Sequence, residues 1–130
     1  MNMKAILTKA ALAAAALAIP AAASAAPIEG QWKNAKGTVI VRVAPCGGAY
    51  CGTVASASAH NRQKGVTPGT RVLTGLRPAG DGTFKGRAFE PKRDIAGSAT
   101  VRQAGPNVMI VRACAIAGII CKEQRWTRVS

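Results

Sequence analysis

Histidine, acidic and aromatic side chains are scarce in this chain, and each scarcity closes off a class of chemistry. There is 1 histidine, His60, and the 5 acids, Glu29, Asp81, Glu90, Asp94 and Glu123, are scattered. Acid–base or metal-assisted catalysis needs such groups brought together. No C-x-x-C, C-x-x-C-H, nucleophile elbow, zinc signature or phosphate-binding glycine loop is present. The expectation is a protein that is not an enzyme and holds no metal or cofactor. With 2 Trp, 1 Tyr and 2 Phe, the chain also lacks the stacking platform of a single-strand binder, so nucleic acid is not an expected partner. Beyond the N-terminal segment, no apolar run reaches the ~20 residues of a membrane-spanning helix.

That N-terminal segment has a distinct pattern. Lys4 and Lys9 give a positive start, Ala10 to Ile19 are apolar, Pro20 breaks the run, and Ala23-Ser24-Ala25 supplies small residues for cleavage. This is the pattern of a secretory signal peptide over residues 1–25. Residues 26–130 are then one exported domain, periplasmic or extracellular. Removing Lys4 and Lys9 leaves 16 of the 18 basic residues against all 5 acids, a net charge of +11. Such a field favours anionic partners: anionic lipid, lipopolysaccharide or another envelope polyanion.

The other conspicuous feature is four cysteines in two short-range pairs, within "CGGAYCG" and "CAIAGIIC". Four cysteines allow three connectivities. Spacing favours Cys46 with Cys51 and Cys114 with Cys121, each across a hairpin, and an oxidising compartment would keep them as disulfides. Cys46 and Cys51 are expected to face each other, with Cα atoms ~4.5 Å apart. Loop-closure entropy gives roughly 2–2.5 kcal/mol for rings this short. A small domain with few large side chains gains from such reinforcement.

Short β-prone runs separated by turn formers predict strands over 28–34, 38–45, 51–57, 71–77, 83–90, 97–103, 107–114 and 121–129. The fold class expected is all-β, a small up-and-down antiparallel barrel of about eight strands. Alternation places Val39, Val41 and Val43 inward and Thr38, Ile40 and Arg42 outward. "NVMIVRA" is apolar on both faces, so one of its faces must meet a loop or a partner. Ala55, Ala88 and Ala113 would leave room inside if they point inward. Residues 56–69, with His60, Arg62 and Lys64, read as an irregular basic loop.

"GQW" at Gly30 to Trp32 and "RWTRV" at Arg125 to Val129 add a resemblance. In lipocalin-like, or calycin, barrels a G-x-W on the first strand packs against a basic residue of the last. Together with "RVAPCGGAYCGTV", "GTRVLTGLRP", "FKGRAFEP" and "CKEQRWTRV", in that order, the chain resembles the lipocalin-like family catalogued as domain of unknown function 2147. The resemblance implies a calycin-like barrel of the bacterial envelope and carries over no established catalytic residues. It implies barrel closure by Gly30, Trp32, Trp126 and Arg128, with Arg128 or Arg125 over the Trp32 indole; Arg128 shares strand parity with Trp126. After "FEP" the chain departs from the family pattern with "KRDIAGSA".

"AIAGII", Ala115 to Ile120, is too apolar for a polar connection. Its isoleucines either plug the barrel mouth or form an apolar tip. In the second reading Ile116, Ile119 and Ile120, with Arg112, Lys122 and Arg125 as a basic collar, contact an anionic membrane or an amphipathic small molecule. The function expected is binding of an apolar, amphipathic or anionic envelope component, with a structural or interaction module lacking a small-molecule ligand as the alternative.

Overall fold

The computed structural model describes residues 28–130; the signal-peptide reading of residues 1–25 lies outside them. Eight strands follow one another: β1 (Gly30–Lys33), β2 (Val39–Cys46), β3 (Ala49–Ala57), β4 (Arg71–Gly80), β5 (Thr83–Glu90), β6 (Ile95–Gln103), β7 (Val108–Ala115) and β8 (Ile120–Arg128), with one short helix, α1 (Ala59–Gln63), between β3 and β4. Each strand pairs antiparallel with the next, and β8 returns to β1 through Trp32 opposite Arg128 and Lys33 opposite Thr127. The result is a closed up-and-down barrel. Closure leaves no free sheet edge to template aggregation.

Alternating side chains fill the interior. Trp32, Val41, Val43, Leu73, Leu76, Phe84, Val101, Met109, Val111 and Trp126 form one buried cluster, and Tyr50 sets its ring edge-on to Phe84 at 5.9 Å. Val41 and Val43 are buried and Val39 packs against them, while Arg42 is exposed. On β7, Met109 and Val111 are the buried face, and Val108 and Ile110 are half-buried on the other. The outward Ile110 has Arg102 and Arg125 as its cross-strand neighbours. Ala55 is exposed at the β2–β3 bulge, so it opens no internal room; Ala88 and Ala113 are half-buried.

Residues 56–69 are not an irregular loop. Ser58 caps α1, its Oγ accepting from the Asn61 N–H at 3.2 Å. At the other end Gly65, at φ +95°, donates to the Arg62 carbonyl and Val66 to the Asn61 carbonyl, a Schellman closure. Val66 then buries itself with Val54 and Ala57, sealing one side of the barrel end. Arg62 adds a bond to the Ala57 carbonyl.

Both local cysteine pairs are disulfides. Cys114 and Cys121 are directly opposite, with Cα atoms 4.0 Å apart. Cys46 and Cys51 are not: Cys46 faces Ala49, Cys51 faces Ala44, and the bridge runs diagonally over 5.8 Å. The cause is the turn. Gly47 and Gly48, at φ +63° and +84°, make a two-residue turn with both residues in the left-handed region. A turn of this length sets Cys46 against Ala49 and leaves Cys51 two residues further along.

Candidate functional site

An up-and-down barrel sends its odd connections to one end and its even connections to the other, and here the two ends differ in chemistry. The even connections, 47–48, 81–82 and 104–107, contain Asp81 and no lysine or arginine. The odd connections, 34–38, 58–70, 91–94 and 116–119, contain Lys36, His60, Arg62, Lys64, Lys92 and Arg93 against Asp94 alone.

The even end is the floor. Trp32 is fully buried, its Nε1 donating to the Ile28 carbonyl at 2.9 Å, and the Arg128 guanidinium lies 4.4 Å over the indole. Arg128 also donates to the carbonyls of Glu29 and Pro106, each at 2.8 Å. Gly30 makes this possible: a Cβ there would stand 2.5 Å from Arg128 Nη1 and 2.6 Å from the Ser130 carbonyl oxygen. Trp126 is buried beside this group and bonds through Nε1 to Gln124 at 2.9 Å. Gly30, Trp32 and Arg128 therefore act together, and Arg125 is elsewhere, exposed on the outer face of β8.

The odd end carries the isoleucines. Residues 116–119 form a tight turn between β7 and β8, with the Ile119 N–H bonded to the Ile116 carbonyl at 3.0 Å and the Cys114–Cys121 bridge beneath it. The turn projects and does not fold back as a plug: Ile116 is 63%, Ile119 77% and Ile120 52% exposed. A four-residue turn clamped by a disulfide is too short to reach across the mouth. Ile95, 40% exposed at the start of β6, adds to the apolar surface of the same end. Ile116 and Ala117 adopt φ of +53° and +55°, a region that β-branched residues rarely enter.

The sequence-level collar is only partly assembled. Exposed Lys122 lies two residues from Ile120, whereas Arg125 is five residues, about 17 Å of strand, away. Arg112 lies opposite Glu123, with 3.9 Å between their charged groups. The cations that do surround the odd end come from connections that the sequence reading did not group. A shallow cleft of about 430 Å³ is lined by His60, Lys64, Lys92 and Arg93, and another of about 400 Å³ runs from the 33–37 turn to Arg125 and Thr127. Counting odd connections along the chain would have found them.

Residues 30–128 match a family described as an uncharacterized protein conserved in bacteria, DUF2147. No curated protein and no solved structure matches the chain.

Proposed function

The chain belongs to the DUF2147 family, and from that premise we propose that it is an exported, non-catalytic, lipocalin-like barrel of the bacterial envelope that docks its odd end on an anionic membrane surface. The observation that carries this reading is the exposure of Ile116, Ile119 and Ile120 on one disulfide-clasped turn. Full burial of an isoleucine is worth about 1.5–3 kcal/mol, so three that are half to three-quarters exposed offer about 3–6 kcal/mol. Each Lys or Arg near an anionic surface adds about 1 kcal/mol. Neither contribution alone holds a protein firmly to a bilayer; the two together give reversible binding.

The large buried cluster favours a contact at the barrel end over a ligand held inside. An amphipathic small molecule would be met by the same isoleucines. The lipocalin-like relationship is supported by Gly30, Trp32 and Arg128 on the floor.

Flotation with vesicles containing anionic phospholipid tests the docking. Wild-type protein is expected to float, less so in high salt, and the Ile116→Ser, Ile119→Ser, Ile120→Ser variant is expected to stay in solution. Equal flotation of the folded variant would refute the proposal. Failure of the variant to fold would show the isoleucines to be structural, with the same consequence.

A further inference from the structure

The outer wall of β4–β8 holds charges in an arrangement that folding alone disfavours. Positions alternating with buried Leu76, Phe84, Val101, Val111 and Trp126 carry six exposed cations: Arg77, Lys85, Arg87, Arg102, Arg112 and Arg125. The register puts Arg77 directly opposite Lys85. Like charges so placed destabilise a sheet. Glu123 is the acid on this wall, 3.9 Å from Arg112 with both side chains more than half exposed, so solvent screens the pair. Arg77 donates to the Gly48 carbonyl at 3.2 Å. Among the described residues, Lys85, Arg87, Arg102 and Arg125 have no carboxylate within 4.0 Å.

The β5–β6 ladder at the centre of the wall is regular. Three successive outward pairs each join one cation to one hydroxyl: Thr83 with Arg102, Lys85 with Thr100, and Arg87 with Ser98. Alternate positions along a strand are about 6.8 Å apart, and five strands span about 19 Å. Cations take carboxylate or sulfate groups, and the hydroxyls between them bond to neutral sugar hydroxyls. A nucleic-acid strand would want a series of exposed rings to stack its bases, but Trp32, Trp126 and Phe84 are buried, Tyr50 packs on Phe84, and half-buried Phe89, next to Arg87 on the outward side of β5, is a single ring.

We propose that this wall binds a linear acidic polysaccharide laid across β4–β8. The site does not depend on membrane docking by the isoleucine turn, because Arg77, Lys85, Arg87 and Arg102 lie outside that turn.

The test is calorimetric titration with an oligogalacturonate of about eight residues, at low and at physiological salt. Wild-type protein is expected to bind at low salt. An Arg77→Ser, Lys85→Ser, Arg87→Ser, Arg102→Ser variant is expected to bind at least about tenfold more weakly with a shallower salt dependence. A charge-matched variant, Arg42→Ser, Lys64→Ser, Arg71→Ser, Lys92→Ser, is expected to stay within about threefold of wild type, since Arg42 lies on β2, Lys64 and Lys92 line the odd-end cleft, and Arg71 shares the alternation of buried Leu73 and not that of the wall cations. Equal losses in the two variants would reduce the effect to net charge and overturn the proposal, as would no binding by wild-type protein. Equally tight binding of an oligothymidylate of the same charge would overturn the polysaccharide assignment. If the fourfold variant does not fold, Lys85→Gln and Arg102→Gln singly are expected to weaken binding about threefold each; unchanged binding in both would overturn it. Flotation of the wall variant with the vesicles is expected to persist, which separates failure here from failure of the docking proposal.

Discussion

Replacing Trp32 by alanine should cost more stability than any single change in the odd-end connections. Its side chain is fully buried in the main cluster, and loss of a buried aromatic costs about 3–5 kcal/mol. Two further losses accompany it: the Ile28 carbonyl loses its indole donor, and Arg128 loses the ring beneath it. These effects overlap with the cavity cost, so a total near 4–5 kcal/mol is expected. For a domain of this size, 1 kcal/mol moves the melting temperature by roughly 4–8 °C, which makes a drop of about 16–40 °C. Trp32→Phe keeps a ring under Arg128 and gives up the indole donor, so it should fall by about 1–3 kcal/mol. The assay is thermal and urea unfolding of the domain with its disulfides intact, beside His60→Ala, whose exposed side chain should matter by no more than about 0.5 kcal/mol. A Trp32→Ala loss no larger than that of His60→Ala would refute the floor as the stabilising centre.

Two smaller perturbations should raise stability. Lys85→Gln removes the charge facing Arg77 and should stabilise by about 0.2–1 kcal/mol at low salt. The gain should fade near 1 M salt, where the screening length is about 3 Å; a lowered melting temperature, or a gain insensitive to salt, would contradict the like-charge argument. Ile116→Asn places a residue tolerant of the left-handed region at φ +53° and should stabilise by about 0.5–1 kcal/mol in urea unfolding. A clear loss would mean that the isoleucine is packed in solution.

The barrel was legible in the sequence because its two determinants are local. Inward valines at 39, 41 and 43 set a period of two, and glycine-bearing turns mark the ends of the strands. α1 escaped this reading because five residues are too few to show a helical period, and its signals are caps: Ser58 before it, Gly65 and Val66 after it. The diagonal Cys46–Cys51 bridge was missed because strand propensity does not count turn residues, and the count sets the register. The wall was hidden for a different reason. Strict alternation from buried Leu73 would turn Arg77 inward, but a bulge sets Gly75 and Leu76 together against Gly86, which restores Leu76 to the core and turns Arg77 out toward Lys85. An irregularity of one residue inverts every later side chain on a strand.

The distribution of favourable and unfavourable features bears on which surfaces are functional. At the floor, each contact adds stability: Trp32 is buried and bonded, Arg128 satisfies two carbonyls, and Gly30 yields the space they need. At the odd end and on the wall the chain keeps features that oppose folding: exposed isoleucines, Ile116 and Ala117 in the left-handed region, and Arg77 opposite Lys85. Single substitutions would remove each; natural chains retain scattered features of this kind, and it is their concentration at the odd end and on the wall that supports the two proposed surfaces. Their separation from the floor has an experimental consequence. Residues that share no partner with Trp32 or Arg128 should contribute additively to stability, so a variant of the turn or the wall that loses its ligand while keeping its melting temperature has lost a surface and not the fold.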